Sequence, residues 1–346
     1  MNITTHLGID VAKNVFQLHG VDYKGKATMK EKISRKKLPE FLAKLEKCTI
    51  FMETCGSSNY WGREAQKYGH IVKLIPAAYV KPFVKTNKND ANDAEAIVEA
   101  GSRPSMRFAE VKTVSQQDIQ STHRIRSRLV SNRTALANEI RGLLSEYGIV
   151  IPQGIYKLRK ELPEIINGNE ELSGLMKDNL NDLHQEFKNL DEQIKKYDDK
   201  IKGICKENEN CKLLESIPGI GKLTASVLAS LIGNGGAFKN GRNFAAFLGL
   251  VPRQHSSGGK TKLYGITKHG DAYIRMLLVH GARTVIQYAG KKDDSVSCWI
   301  KNIVVRRGKN RATIALAAKM ARTALAVIKS KDAYKTDYKF MLGEVA

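Results

Sequence analysis

Nowhere in these 346 residues does an apolar run approach the roughly 18 residues that a membrane-spanning helix needs. The first residues lack the apolar core of a signal peptide. The five cysteines (Cys48, Cys55, Cys205, Cys211 and Cys298) form no Cys-x-x-Cys pair and no zinc spacing. A cytoplasmic chain with reduced thiols is expected, and a membrane protein is not. Acid is also scarce. Lys and Arg number 57 against 35 Asp and Glu, a formal net charge of +22. From Lys239 to the end the ratio is 21 to 6. Such a surplus attracts a polyanion, usually nucleic acid, with an anionic membrane surface as the competing partner. At 42% apolar and 27% charged the chain is otherwise an ordinary globular protein, long enough for two or three domains.

The scarce acids of the first hundred residues fall in a pattern. Leu7-Gly8-Ile9-Asp10-Val11 reads as a strand, Val15 to Val21 alternates, and Ala27 to Ile33 returns after a turn at Asp22-Tyr23-Lys24-Gly25, making an antiparallel meander. Leu38, Phe41, Leu42 and Leu45 have helical spacing. Thr49–Glu53 then reads as a strand, about Ser57 to Tyr68 as a helix, and His70–Ile75 as a strand closed by Pro76. A three-strand meander followed by alternating helices and strands is the ribonuclease H-like order. Asp10 stands in the first strand, Glu53 ends the fourth, and Asp90 and Asp93 lie three apart on a predicted helix, hence on one face of it. Hard oxygen ligands of this kind suit Mg²⁺, and two such ions about 4 Å apart can serve the attacking and leaving oxygens of a phosphodiester. Taken singly, each acid reads equally well as a solvated or ion-paired residue.

From about Val114 to Tyr147 the pattern is helical. Ile125, Leu129, Leu136, Ile140, Leu143 and Tyr147 form a stripe, with Arg124, Arg126, Arg128 and Arg133 on other faces. The prolines between Ile149 and Pro163 are expected to break the helix. Leu183, Phe187, Leu190, Ile194, Tyr197, Ile201 and Ile204 then repeat at heptad spacing, which predicts a coiled-coil arm with a role in assembly, an internal hairpin within the chain being the alternative.

Leu213 to Lys222 contains Pro218-Gly219-Ile220-Gly221 between two apolar helical segments, the pattern of a helix-hairpin-helix. Its glycines let the backbone approach a phosphate, with N–H groups at the start of the second helix to bind it. Beyond Phe244 to Pro252, the segment Arg253-Gln254-His255-Ser256-Ser257-Gly258-Gly259-Lys260 reads as a basic loop, and by itself Ser-Ser-Gly-Gly is an ordinary flexible surface turn. Lys262 to Arg283 reads as basic and helical. Val304 to Arg311, with Arg306, Arg307 and Arg311, reads as a basic turn before an Ala-rich helix from Ala312 to Ile328. The nucleic-acid contacts expected from these segments are Arg124, Arg128, Pro218, Gly219, Gly221, Lys222, Arg253, Lys260, Lys262, Arg306, Arg307 and Arg311.

With these pieces placed, the chain resembles the DEDD transposases of bacterial insertion sequences, the family that includes Piv-type DNA invertases and RNA-guided bridge recombinases. The stretches that carry the resemblance span nearly the whole chain: Gly8 to Lys13, Met52 to Gly56, Asn89 to Ala94, Glu215 to Gly221, and Leu248-Gly249-Leu250-Val251-Pro252 through Ser257-Gly258. The resemblance implies an α/β RuvC-like, ribonuclease H-like domain over 1–110, a helical coiled-coil arm over 111–208, and a mainly helical C-terminal transposase domain over 209–346. It implies that Asp10, Glu53, Asp90 and Asp93 bind Mg²⁺, two ions per site. It also implies that Ser257, more than its neighbour Ser256, is a nucleophile forming a phosphoserine link to DNA in a composite site. The implied partners are double-stranded DNA at element ends and target, a structured guide RNA, and further copies of the chain in a tetramer made from dimers. The implied setting is the bacterial cytoplasm, with the protein at the nucleoid.

Two other readings share parts of this pattern. A RuvC-type junction nuclease would use the same acids with water as nucleophile and Ser257 inert. A nonenzymatic nucleic-acid binder on a dead nuclease fold would most simply lack one of the four acids, and none is missing.

Overall fold

The computed structural model describes residues 3–84 and 90–335, with Asp90 and Ala91 described in their backbone alone. It divides into two compact units, Met1–Val114 and Ser115–Ala346.

The first unit is built on a five-stranded mixed sheet. Strands β1 (His6–Val11), β2 (Val15–Val21) and β3 (Ala27–Ser34) form the antiparallel meander. Helix α1 (Leu38–Lys44), β4 (Thr49–Glu53), α2 (Ser58–Lys67) and β5 (Ile71–Ile75) follow, then the short α3 (Ala77–Val80), a 3₁₀ turn (Lys81–Phe83) and α4 (Asp90–Gly101). The strand order is β3-β2-β1-β4-β5, with β4 parallel to both β1 and β5. Alternation along each strand sorts side chains between two cores. Leu7, Ile9, Ile50 and Met52 pack with Leu38, Leu42, Trp61 and Ala65, under α1 and α2. On the other face, Phe51 packs with Ile97, Val98 and Ala100 of α4.

The second unit is mainly helical. Its long helices α5 (Val114–Ser145) and α7 (Gly174–Glu207) share one apolar core with α6 (Ile155–Gly168). The heptad residues Phe187, Leu190 and Ile194 meet Leu129, Leu136 and Ile140, so the pairing lies within the chain. Arg126–Asp198 and Arg133–Asp191 join α5 to α7, and Arg159 of α6 adds a second cation to Asp191. The expected helix break from Ile149 to Pro163 is therefore shorter than the prolines suggest. Pro163 sits inside α6, because Leu158, Leu162 and Ile166 form a buried stripe that outweighs one lost backbone hydrogen bond.

A second apolar core follows. Helices α8 (Glu209–Glu215), α9 (Lys222–Ile232), α10 (Gly241–Phe247), α11 (Ala272–Ala289), α12 (Ser295–Arg307) and α13 (Lys309–Ser330) gather around α13. Its small residues Ala317, Ala321 and Ala324 are fully buried, which lets neighbouring helices approach closely. Three expectations are corrected here. The basic loop at Arg253–Lys260 is an antiparallel hairpin of β6 (Pro252–Ser257) and β7 (Lys260–Ile266), so the helix expected from Lys262 starts only at Ala272. The basic turn at Val304–Arg311 is mostly helical. α12 runs through Arg307 and α13 begins at Lys309, leaving Gly308, with φ of 77°, as the turn. Acids are scarce in this region, and two of them serve as helix caps: Asp271 accepts from the backbone of Tyr273 and Ile274, and Asp294 from Val296 and Ser297. Among the described residues no helix is long and apolar enough to cross a membrane.

Candidate active site and nucleic-acid interface

Asp10 and Glu53 come together through strand register. Ile9 pairs with Met52 across the parallel β1–β4 ladder, so Asp10 and Glu53 each lie one residue further along, level and on the same face. That face carries α4. Gly8, two residues before Asp10, lies so close to the helix that a Cβ there would stand 2.4 Å from the carbonyl oxygen of Ala94 and 3.0 Å from the backbone nitrogen of Val98. Phe51, two residues before Glu53, lies against Gly101 at the far end of α4. The strands therefore run toward the first turn of α4, where Asp93 stands. Lys30 of β3 pairs with Glu95 across 3.4 Å and ties the start of the helix to the meander.

The electrostatics agree with this placement. Burial raises the Glu53 carboxyl above its usual range, and the charge of Asp93 raises it further. Glu53 and Asp93 are hard oxygen donors that repel one another, and a divalent cation between them would remove the repulsion. Among the described residues, no three His, Cys, Asp or Glu side chains are grouped tightly enough to hold a metal. The side chain of the fourth acid, Asp90, lies outside the described residues, as does Asn89.

Ser257 ends β6, where Gly258 (φ 55°) and Gly259 (φ 74°) form the two-residue turn. Positive φ at both central positions is what a tight hairpin needs, so the glycine pair makes a hairpin rather than an open loop. Every residue of β6 is exposed. The Ser256 hydroxyl is engaged by Gln254 at 2.7 Å and Thr261 at 3.4 Å, while Ser257 makes no side-chain hydrogen bond among the described residues. The hairpin is anchored at its base. Thr267 and Lys268 donate to the carbonyls of Val251 and Gly249, and Arg275 donates to Leu248 and His269.

The turn Pro218–Gly221 departs from its expected reason. A side chain at Gly219 (φ 86°) would meet Val285, Met320 and the Gly281 carbonyl at 2.8–2.9 Å, so this glycine serves packing against α11 and α13. Gly221 opens onto free space at the start of α9, with Pro218 and Lys222 exposed beside it. The arginines of α5 divide likewise. Arg126 and Arg133 are used in ion pairs, whereas Arg124 and Arg128 are exposed and unpaired among the described residues. Arg253, Arg306, Arg307 and Arg311 all line one cleft beside the hairpin. Lys260 and Lys262 project from exposed β7.

Two family models match the chain: one described as a transposase over residues 7–149, and the transposase IS116/IS110/IS902 family over 211–295. The transposase for insertion sequence element IS1111A of Coxiella burnetii is 46% identical over 330 residues, 95% of this chain and 91% of its own length. The chain belongs to the IS110 family of transposases. A protein of Pseudomonas aeruginosa named probable family 20 transposase is 42% identical, over 97% of this chain and 99% of its own. The pilin gene-inverting protein of Moraxella bovis is 24% identical over 73% of this chain and 74% of its own. As a transposase of insertion sequences, the protein is a DNA strand-transfer enzyme, and so binds DNA. The first model covers the sheet and α4, and its family implies a divalent metal.

Sequence reading missed the other cations of the transposase cleft: Arg242, Lys268 and Arg322. They come from three separate segments and share no motif, so the only signal available was the regional charge surplus.

Proposed function

We propose that this transposase cuts and rejoins DNA strands with Ser257 as nucleophile and Asp10, Glu53, Asp90 and Asp93 as ligands of Mg²⁺, two ions per site. The observation that carries the reading is the approach of Asp10 and Glu53, level on adjoining parallel strands, to the helix turn that bears Asp93, with the Glu53 carboxyl raised by its neighbour's charge. Bound there, the metal would offset charge on the attacking and departing oxygens of a phosphodiester. The rest falls to the chain. In this reading strand register holds Asp10 and Glu53 level, and the close seat of α4 on Gly8 governs how near the turn bearing Asp93 comes to them. The exposed hairpin presents the Ser257 hydroxyl without an internal partner to displace. Its oxygen forms a bond to phosphorus as one P–O bond of the strand breaks, the serine proton is released, and the departing strand end is protonated to a hydroxyl. Attack by the hydroxyl of another strand end then forms the new phosphodiester and frees the serine, so no external energy source is required.

The division of labour in this reading is an acidic domain over 1–110, a coiled-coil arm over 111–208 and a serine-bearing domain over 209–346; the two apolar cores of the second unit support a split between arm and C-terminal domain near Cys205 to Cys211. Phosphates would be held at Pro218, Gly221 and Lys222, by Arg253, Lys260, Lys262, Arg306, Arg307 and Arg311, and by Arg124 and Arg128, with Gly219 serving the packing behind that turn. Backbone-holding cations without a base-reading helix suit target choice by a guide RNA, with the protein working as a tetramer made from dimers. The test is covalent capture. The protein is co-expressed with the element's flanking RNA and incubated with labelled end and target DNA in Mg²⁺. Products run on a denaturing gel with and without protease. A protease-sensitive adduct lost in Ser257→Ala and in Asp10→Asn but kept in Ser256→Ala is expected. Free cleaved ends with no adduct, unchanged by Ser257→Ala, would refute the serine mechanism and leave a RuvC-type nuclease that uses water.

A further inference from the structure

The cleft beside the hairpin has a volume of about 1390 Å³, above the roughly 300–1,000 Å³ of small-molecule pockets. It is open enough for a polymer. To Arg253, Arg306, Arg307 and Arg311 it adds Arg242, Lys268 and Arg322, and no Asp or Glu lines it. None of these seven cations is ion-paired among the described residues. Unneutralised guanidinium groups this dense call for an anionic occupant. Yet the cleft is not merely basic: Leu250, Ile266, Ile303, Ile314 and Ala318 also line it. Two aromatic rings join them. Tyr264 of β7 is 47% exposed. Trp299 of α12 has Lys319 Nζ at 4.3 Å from its ring, and Lys319 does not line the cleft.

These features distinguish two kinds of polyanion. A duplex turns its bases inward and offers phosphates at its surface, so an apolar lining would gain nothing from it. An unpaired strand exposes base faces that stack on aromatic rings while its phosphates meet cations, the combination that single-strand-binding grooves use. We propose that this cleft binds one unpaired polynucleotide strand, with its phosphates on the arginines and its bases against Tyr264, Trp299 and the apolar lining. The cleft is walled by the base of the hairpin, Pro252–Arg253 and Leu263–Ile266. Ser257 lies four residues beyond Arg253, roughly 13 Å along an extended strand. The inference deepens the strand-transfer reading and rests on it: the bound strand would be a melted DNA strand leading toward Ser257 or an unpaired stretch of guide RNA.

The experiment measures binding of the full chain without Mg²⁺, by fluorescence anisotropy, to a labelled 12-nucleotide oligo-dT, the matching oligo-rU and a 12-base-pair duplex. Tyr264→Ala is the main variant, because an exposed strand residue contributes nothing to a core. Trp299→Phe is the second and keeps an aromatic ring in place. Tyr264→Ala is expected to weaken single-strand binding roughly tenfold, the scale of one lost base stack, and to leave duplex binding within twofold. Trp299→Phe is expected to keep most of the wild-type affinity. Tighter binding of dT assigns the strand to DNA, and tighter binding of rU assigns it to RNA. An unchanged affinity in Tyr264→Ala, an equal loss for duplex, or displacement of the strand by poly-glutamate as readily as by unlabelled dT would overturn the proposal. This readout is separate from the covalent adduct. A protein that forms the adduct but shows no Tyr264 dependence refutes the cleft reading alone, and one that binds strands through Tyr264 but forms no adduct refutes the serine mechanism alone.

Discussion

Replacing Gly8 by alanine adds one methyl group where the first unit has no room for it. The new Cβ would stand 2.4 Å from the Ala94 carbonyl oxygen, 3.0 Å from the Val98 nitrogen and 3.1 Å from the Val98 Cβ. Two of these three are backbone atoms, so rotamer changes cannot relieve the clash. Restoring ordinary contact near 3.4 Å requires α4 to retreat by about 1 Å, carrying Asp93 with it, at a cost of about 1–3 kcal/mol in stability. Misplacing a catalytic group by 1 Å costs roughly a hundredfold in rate. Gly8→Ala is therefore expected to remain folded while strand cleavage falls about a hundredfold. Metal linkage separates this from simple destabilisation. A ligand at 100 times its dissociation constant stabilises a fold by about 2.7 kcal/mol. Urea melts with and without Mg²⁺ should show that increment in the wild type and most of it lost in Gly8→Ala. Cleavage within twofold of wild type, or an undiminished Mg²⁺ increment, would refute the placement of the acids under α4.

His123 is 2% exposed and bonds Ser226 at 2.9 Å and Tyr273 at 3.1 Å, linking α5 to α9 and α11. Burial first, and the charge of Arg126 second, lower its pKa to about 4, against an opposing pull from Asp271. A lowered histidine pKa means the unfolded chain binds the proton more readily, so stability is full above about pH 6.5 and is lost as pH falls toward 4. At about 1.36 kcal/mol per unit the loss from pH 7 to 4.5 is about 2 kcal/mol. The wild-type advantage over His123→Gln in urea melts should shrink by that amount, and a constant advantage would refute the neutral buried imidazole. In α7, Gly203 has open space where a side chain would go, so Gly203→Ala should raise the urea midpoint by roughly 0.5–1 kcal/mol equivalent. The Asp294 carboxylate is held below its usual range, chiefly by its bond to the Ser297 hydroxyl and then by the Ser297 backbone. Asp294→Ala should cost about 1 kcal/mol at pH 7, and the cost should vanish as pH falls through the folded pKa, since a protonated cap accepts poorly.

Much of the first unit was legible because its strands alternate and its meander has ordinary turn chemistry. All five strands and the helices between them fall where periodicity puts them, within a residue or two. The second unit was less legible. Gly258-Gly259 looks like a flexible loop until a partner strand is seen, since β6 and β7 have no buried face and no alternating pattern to announce them. Pro163 reads as a break in any window that ignores the buried stripe around it. Gly308 reads as part of a longer turn because Val304 to Arg311 is too polar to show where helices end.

The sequence by itself determined the chemistry available: which acids stand in strands and on a helix, which serine precedes a glycine pair, and how much positive charge must be answered by a polyanion. Those are properties of residue type and local spacing. Only the tertiary structure decided which residues meet. Parallel register makes Asp10 and Glu53 level, and the absent Cβ of Gly8 brings α4 onto them. Packing on Gly281 claims Gly219, and ion pairs with α7 claim Arg126 and Arg133, leaving Arg124 and Arg128 outward. The arginine cleft exists only because α10, α12 and α13, distant in sequence, share one core and the base of the exposed hairpin lies beside them. Spacing along a chain fixes direction within one element, whereas a site drawn from several elements depends on the distances that packing sets between them.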